Sequence, residues 1–217
     1  MENLVRKRAG QTHNTQRSQI DAQSKFVGPD ARAVSIRPAT PNDKEKLRKM
    51  LSRLSSKTIY RRFHLVYPRV PERMLDLMLD VDHYDKQSLF AVAENDEIVG
   101  HAMYAKLADS GDAEVAFVVE DEWQSKGVGK VLLAEIAEKA RLRGVETFSG
   151  QVLGENRRVL GLLDAVFDEV GYVMRHRSGV RNETQSISLS RAPTGTQADS
   201  APCTTTSTGR IRIADKR

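Results

Sequence analysis

The residues that can do chemistry are concentrated between Glu114 and Lys130, in the sequence EVAFVVEDEWQSKGVGK. An apolar stretch ends there, a short acidic turn follows, and QSKGVG (residues 124–129) leads into a segment with helical periodicity. The first turn of a helix has unpaired backbone N–H groups and the positive end of the helix dipole, and glycines let that backbone approach an anion closely. With Lys126 and Lys130 adding positive charge, the segment favours a pyrophosphate site. An ordinary glycine-containing turn before a helix is the alternative.

Two common phosphate-binding motifs do not fit this segment. A Walker A loop needs a glycine five residues before the glycine that precedes Lys130, and position 124 is glutamine. A dinucleotide fingerprint needs a third glycine three residues after Gly129, and position 132 is leucine. The sequence therefore points to a different kind of anion-binding loop.

The elements that must position this loop alternate between strands and helices, which predicts a mixed α/β fold. Residue types and period-two patterns predict strands at 33–37, 88–94, 97–107, 113–120, 147–153, 172–175 and 184–189. Helical spacing and capping residues predict helices at 40–54, 58–64, 71–79, 128–143 and 156–170. One compact domain over residues 32–191 accommodates all of them.

The segments outside this domain, residues 1–31 and 192–217, are polar and aperiodic, so both are predicted to be disordered. The formal net charge of +5 lies in the termini: residues 1–31 carry five Lys/Arg and three Asp/Glu, and residues 191–217 carry five and two. Residues 32–190 carry 24 of each sign and are neutral. A nucleic-acid-binding surface needs its positive charge on the folded domain, so a nucleic-acid partner is not expected, although binding through the tails is the alternative.

Composition also bears on compartment and metals. The sequence has no apolar run near the ~18 residues that a membrane span needs, and it lacks an apolar signal segment at its beginning, so we expect a cytoplasmic protein without a membrane partner. The one cysteine, Cys203, lies in a Thr/Ser-rich stretch, which argues against a disulfide framework and a cysteine nucleophile. The five histidines are too scattered in sequence to indicate a metal site.

The loop at residues 124–129 resembles the Q/R-x-x-G-x-G/A loop of GNAT-family acetyltransferases, in which it holds the pyrophosphate of acetyl-CoA. The order of strand, loop, helix, strand 147–153 and Asn156 opening the next helix is similar to the family's order, over roughly residues 34–190. Upstream, LSSKTIYRRF (residues 54–63) and Asp82-His83 resemble the acetyltransferase domain of bacterial Pat-type protein-lysine acetyltransferases. The resemblance implies a central mixed, mostly antiparallel twisted sheet flanked by helices on both faces. It also implies acetyl-CoA as co-substrate.

The resemblance also implies a reaction, the direct attack of an amine on the thioester carbonyl. A lysine has a reference pKa of ~10.4, so a base would raise the fraction of free amine. Glu114 matches the glutamate that Pat-type enzymes carry on this strand and is the expected base. Strand alternation places Glu114, Ala116 and Val118 on one face, and a carboxylate in a salt bridge at the strand edge is the alternative for Glu114.

The expected acetyl-CoA contacts follow from the same resemblance. Backbone groups of the strand are expected to bind the pantetheine arm, and Asn156 either contacts that arm or caps its helix. The expected cofactor-binding residues are Phe117, Val118, Val119, Gln124, Ser125, Lys126, Gly127, Val128, Gly129, Lys130 and Asn156. Trp123 is expected to pack over the loop.

One position departs from the family's pattern. Many members have a tyrosine four residues before the Gly-aromatic pair that follows this helix, where it protonates the leaving thiolate. Counting back from Gly171-Tyr172 gives Phe167, so a tyrosine acid is not expected there.

The acceptor side stays open at this stage. Two sets of residues either line it or form charged surface: Tyr60, Arg61, Arg62, Phe63 and His64, and Asp80, Asp82, His83 and Asp85. The acceptor is a protein lysine or a small amine, and a catalytically weak acyl-CoA-binding regulatory module is the third possibility.

Overall fold

A computed structural model describes residues 24–30, 32–65, 70–107, 111–178 and 184–192. The strands of this part of the chain are β1 (Ser24–Val27), β2 (Ala33–Pro38), β3 (Lys86–Ala93), β4 (Ile98–Lys106), β5 (Asp112–Val119), β6 (Thr147–Leu153), β7 (Tyr172–Ser178) and β8 (Thr184–Arg191). The helices are α1 (Lys44–Ser52), α2 (Ser56–Phe63), α3 (Glu72–Leu79), α4 (Val128–Leu142) and α5 (Arg157–Glu169). Short 3-10 turns occur at Pro41–Asp43 and Asp121–Trp123. The predicted strands and helices correspond to these elements with ends that differ by a few residues.

The strands form one sheet in the order β1-β2-β3-β4-β5-β6-β8-β7. Neighbouring strands are antiparallel except β5 and β6, which are parallel. The predicted mixed, mostly antiparallel sheet is therefore confirmed. The β5–β6 ladder covers only Asp112, Ala113 and Glu114 of β5, so the two strands separate beyond Glu114.

A hydrophobic core lies on each face of the sheet. The first includes Leu132, Ile136 and Phe148 and packs under α4 and α5, and the second includes Leu47, Met50 and Phe90 and packs under α1, α2 and α3. Each of these six side chains is fully buried, which stabilises the fold by roughly 1.5–3 kcal/mol per side chain. Helices therefore cover both faces, as predicted.

Helix α4 starts and stops at glycines. It begins after Gly127 and buries one stripe of apolar side chains at helical spacing, among them Val128, Leu132 and Ile136. It ends where Gly144 adopts φ +75° and the Val145 N–H donates to the Ala140 carbonyl at 3.0 Å. This backbone reversal satisfies a free carbonyl of the last turn.

The predicted N-terminal boundary requires a correction. Residues Ser24–Val27, which fall inside the expected extension 1–31, form strand β1 and pair with β2 from Ser24↔Ile36 to Val27↔Ala33. Four residues carry too little periodicity to reveal a strand, because its stability comes from pairing with β2. Residues 1–23 and 193–217, including Cys203, lie outside the described part of the chain. No helix among the described residues is long and apolar enough to cross a membrane.

Candidate functional site

The loop between β5 and α4 has a backbone that requires glycine. Gly127 has φ +88°, in the left-handed region that favours glycine, and Ser125 has φ +64°. A Cβ on Gly127 would lie 2.7 Å from Cζ of Phe26, so β1 closes over the loop at this point. The first helical hydrogen bond runs from the Val131 N–H to the Gly127 carbonyl at 3.1 Å. The N–H groups of residues 128–130 consequently have no partner within the helix.

Side chains hold the loop against the sheet. The amide Nε2 of Gln124 donates to the Val119 carbonyl at 3.0 Å and to Oγ1 of Thr58 at 3.2 Å. On the opposite side, Arg158 of α5 hydrogen-bonds the Ser125 hydroxyl. The loop is thus connected to α2, β5 and α5.

The cations near the loop differ in their partners. Nζ of Lys126 lies 2.9 Å from Asp30, and Nζ of Lys130 lies 2.6 Å from Glu169. Arg158 has a hydroxyl partner and no ion pair among the described residues. An anion at the start of α4 would therefore meet free N–H groups and one uncompensated guanidinium.

A cavity of about 560 Å³ opens where β5 and β6 separate. Its volume is in the range of small-molecule and cofactor sites. Its lining combines residues 114–119, residues 150–152, Thr58, Arg61, Arg62, Phe63, His64, Met74, Gln124, Ser125, Gly127, Gly129, Lys130, Asn156, Arg158, Val159, Leu162, Leu163 and Ile187. One cavity thus reaches from the loop through the gap to Glu114 and α2.

Main-chain groups of β5 face this gap. The Val115 carbonyl oxygen would lie 3.3 Å from a Cβ on Gly150 of β6, so it points toward β6. Because these groups alternate sides along a strand, those of Phe117 and Val119 point the same way. The Gln124 side chain donates a hydrogen bond to the Val119 carbonyl. The main-chain groups of Phe117 have no strand partner on the β6 side within the described sheet.

Glu114 lies at the end of the β5–β6 ladder, where it pairs with Ser149. Its side chain is exposed and lines the cavity. It forms no ion pair within 4 Å among the described residues, so the alternative of a salt-bridged carboxylate at the strand edge receives no support. The guanidinium of Arg62 interacts electrostatically with this carboxylate through space.

His101 of β4 is fully buried in the neighbourhood of this arginine. Its Nε2 lies 2.8 Å from the Ser88 hydroxyl, and its Nδ1 has no partner among the described residues. Burial, together with the positive charge of Arg62, lowers the pKa of His101 to about 3, so the imidazole is neutral at physiological pH.

The cofactor-binding residues expected from the sequence divide into two groups. Nine line the cavity: Phe117, Val118, Val119, Gln124, Ser125, Gly127, Gly129, Lys130 and Asn156. The Lys126 side chain pairs with Asp30 outside the lining, and the Val128 side chain is buried in the core. Asn156 is also the residue before the first turn of α5, but its side chain makes no capping hydrogen bond.

The acceptor-side residues also divide. Arg61, Arg62, Phe63 and His64 line the cavity, whereas Tyr60 lies outside the lining and is 40% exposed. Asp80, Asp82, His83 and Asp85 lie outside the lining and form a polar surface whose groups have partners within the protein. Asp82 accepts three backbone N–H bonds, Asp80 and Asp85 pair with lysines, and His83 pairs with Gln87.

Trp123 is half-buried against the core under α4 and lies beneath the guanidinium of Arg32, 4.1 Å from the ring centre. Among the described residues, no group of three His, Cys, Asp or Glu side chains is arranged to hold a metal ion.

The sequence pattern missed Arg158, Met74, Leu162 and Leu163, which all line the cavity. The sequence pattern also placed the position of the family's tyrosine at Phe167. This side chain is fully buried, with its ring centre 5.0 Å from that of Phe148, and it lies outside the cavity lining. Counting residues forward from Asn156 at helical spacing instead gives Val159, Leu162 and Leu163, which form the stripe of α5 that lines the cavity. That stripe also lacks a tyrosine.

Comparisons with known proteins agree with this geometry. The family model described as "Acetyltransferase (GNAT) family" matches residues 56–166. The chain is 32% identical over 148 residues to Acetyltransferase Pat of Mycolicibacterium smegmatis, covering 64% of this chain and 44% of that protein. It is 29% identical over 140 residues to Acetyltransferase PA5475 of Pseudomonas aeruginosa, covering 63% of this chain and 75% of that protein.

Among solved structures, the GNAT domain of S. lividans PAT superposes with a TM-score of 0.67 at 27% identity, covering 77% of this chain and 96% of that domain. The matched part of the chain thus spans less than half of the M. smegmatis protein and nearly all of an isolated acetyltransferase domain. Fold, loop and family match lead to one conclusion: the chain belongs to the GNAT acetyltransferase family.

Proposed function

We propose that this chain transfers an acetyl group from acetyl-CoA to a primary amine, with Glu114 as the base. The observation that carries the proposal is the continuous cavity, which connects the anion-binding start of α4 with the carboxylate of Glu114 through the gap between β5 and β6. GNAT-family enzymes use acetyl-CoA as co-substrate. The cavity offers complementary groups for each part of that molecule.

The pyrophosphate is assigned to the loop. Free N–H groups of residues 128–130 and the positive end of the α4 dipole favour an anion there, and Gly127 and Gly129 leave the backbone accessible. Arg158 and Lys130 add positive charge at the lining. Val128 acts through its backbone, and Lys126 acts from outside the lining if the pair with Asp30 opens.

The pantetheine arm is assigned to the gap. Its amides would hydrogen-bond the main-chain groups of Phe117, the backbone N–H of Val119 and the Asn156 side chain. The apolar side chains of Val159, Leu162 and Leu163 would contact its carbon chain on the other side. This arrangement directs the thioester toward the α2 side of the sheet.

The chemistry then follows from the position of Glu114. The amine nitrogen attacks the thioester carbonyl carbon, its proton passes to the Glu114 carboxylate directly or through a water, and the carbon–sulfur bond breaks. A backbone N–H of β5 that faces the gap stabilises the oxyanion. Because the described lining contains no tyrosine, a water molecule is the group that we assign to protonate the thiolate.

The acceptor that we propose is a protein lysine. The support is the resemblance of residues 54–63 to Pat-type enzymes, together with the placement of Arg61, Arg62 and Phe63 from that segment on the cavity. Because acetyl-CoA is available in the cytoplasm, we propose that compartment. A small amine remains the second acceptor class, because the cavity lining itself would accept either.

Calorimetric titration of acetyl-CoA tests the cofactor part of the proposal. We expect micromolar binding by the wild type and loss of binding in Gly127→Glu/Gly129→Glu, which places negative charge at the start of α4. Absence of binding by a folded wild-type protein would refute the proposed function.

Release of the CoA thiol with a lysine peptide tests the base. Glu114→Gln should lower kcat by roughly 10²–10⁴-fold, the range for removing a general base, without a comparable change in the Kd of acetyl-CoA. Glu94→Gln is the matched control, because Glu94 is exposed and outside the cavity lining. Equal turnover by Glu114→Gln and wild type would rule out the assigned base.

A further inference from the structure

Arg62, near the end of α2, is a half-buried cation that forms no hydrogen bond or ion pair with a described residue. Its Nε has no contact with solvent and no hydrogen bond to any described residue. Its guanidinium lies 4.9 Å from the Phe63 ring centre, and no carboxylate in the described ranges forms an ion pair with it. By contrast, Arg37 is held by Asp43 at 2.6 Å.

An uncompensated buried charge is costly to a fold. Burial lowers the pKa of Arg62 to about 10, and Glu114 acts against this decrease, so the side chain remains a cation at neutral pH. A ligand that carries a negative charge beside this guanidinium would offset the cost. A guanidinium has a planar donor set that matches a carboxylate.

The surroundings of Arg62 reinforce this requirement. It lines the α2 half of the cavity together with Arg61 and His64, and Glu114 is the one carboxylate among the described lining residues. His101 of β4, on which the charge of Arg62 acts, is neutral and supplies no negative charge. If Glu114 accepts a proton from the amine, it cannot also serve as the permanent partner of Arg62.

We propose that Arg62 binds a carboxylate carried by the substrate, beside the reacting atoms. This inference rests on the acetyl-CoA-dependent transfer proposed above and specifies the substrate class of the same site. The carboxylate has two possible sources. It belongs to the acceptor, next to the amine that Glu114 deprotonates, or it ends the acyl chain of the CoA thioester.

Matched pairs of compounds distinguish the two sources. On the donor side, succinyl-CoA is compared with butyryl-CoA, which has the same chain length and no carboxylate. On the acceptor side, amino acids are compared with their amides, and a lysine peptide flanked by glutamates is compared with one flanked by glutamines. Thiol release gives kcat/KM for each compound.

We expect the wild type to prefer the carboxylate member of at least one pair by about tenfold or more, the range for a hydrogen bond to a charged group. Arg62→Gln should abolish that preference, and Arg62→Lys should retain part of it. Arg73→Gln is the charge-matched control, because Arg73 is exposed and outside the cavity lining. Circular dichroism establishes whether each variant is folded. If Arg62→Gln does not fold, Arg62→Lys still tests the role of Arg62.

Two results would overturn the inference: equal rates for both members of every pair, or a preference that survives in Arg62→Gln. Wild-type protein that binds acetyl-CoA but treats all pairs alike overturns the role of Arg62 alone. Wild-type protein that does not bind acetyl-CoA overturns the proposed function itself.

Discussion

Replacing Gly127 by alanine tests the loop geometry most directly. The residue has φ +88°, and a Cβ would lie 2.7 Å from Cζ of Phe26. Left-handed backbone costs a residue with a Cβ about 1–2 kcal/mol, and forcing the Phe26 ring aside costs about 1–3 kcal/mol. The sum predicts a loss of roughly 2–5 kcal/mol in the free energy of unfolding. For a chain of this size, Tm should fall by about 4–20 °C.

Gly129→Ala is the matched control. Gly129 lies in the first turn of α4, and a Cβ there would meet Leu162, Phe117 and Val119 at 3.4, 3.6 and 3.6 Å, which are tolerable distances. Alanine is a better helix former than glycine by up to about 1 kcal/mol, so the stability of Gly129→Ala should equal or exceed that of the wild type. Its added methyl group nevertheless projects into the lining and should weaken acetyl-CoA binding.

Urea unfolding and acetyl-CoA calorimetry on both variants give the required comparison. We expect Gly127→Ala to lose stability and affinity, and Gly129→Ala to lose affinity alone. A double-mutant cycle with Phe26→Leu separates the steric contact from the backbone strain, with a coupling of about 1 kcal/mol expected for the contact. If Gly127→Ala is as stable as the wild type, the assigned loop conformation is wrong.

Two further predictions concern the scaffold. Burial would raise the pKa of Asp43, but hydrogen bonds led by that from Arg37 outweigh it and hold the pKa at about 2 against a reference of 3.8. The ionised carboxylate thus adds about 2 kcal/mol of stability above pH 4, which is lost as the pH falls toward 2, so unfolding curves of wild type and Asp43→Asn should converge over that window. Phe167→Tyr should cost about 1–3 kcal/mol in thermal unfolding without raising turnover, because the hydroxyl would be buried beside Phe148 and Tyr172, away from the cavity. A faster Phe167→Tyr enzyme would show that this helix is placed wrongly.

The sequence predicted the elements whose formation depends on local pattern. Alternating apolar residues identified β5 and β6, and the spacing of Val128, Leu132 and Ile136 identified α4. The two glycines of the loop were informative because one of them occupies a conformation that other residues avoid. These signals are contained within about fifteen consecutive residues each.

The remaining features depend on contacts between distant segments. Strand β1 exists through its pairing with β2 and its contact with the loop, and Arg158 reaches Ser125 across 33 positions of sequence. The position of Phe167 was predicted by counting back from the C-terminal end of α5. In the structure, the residues of α5 after Leu163 no longer line the cavity, and the same helical stripe continues into the core at Phe167. Only the packing of α5 on the sheet decides which turn of the helix faces the cavity.

The electrostatics of the two ends of the cavity lead to different expectations for specificity. At the loop, Lys126 and Lys130 are already paired with carboxylates, so an anion would be bound mainly by backbone N–H groups and Arg158. Backbone groups recognise a phosphate without regard to the rest of the molecule, so we expect the loop end to accept any acyl-CoA. At the α2 end, the half-buried Arg62 has no hydrogen bond or ion pair with a described residue, so we expect a substrate without a carboxylate to leave this charge unsatisfied. Because such a mismatch costs more than an imperfect contact at a solvated surface, discrimination between substrates should be concentrated at this arginine.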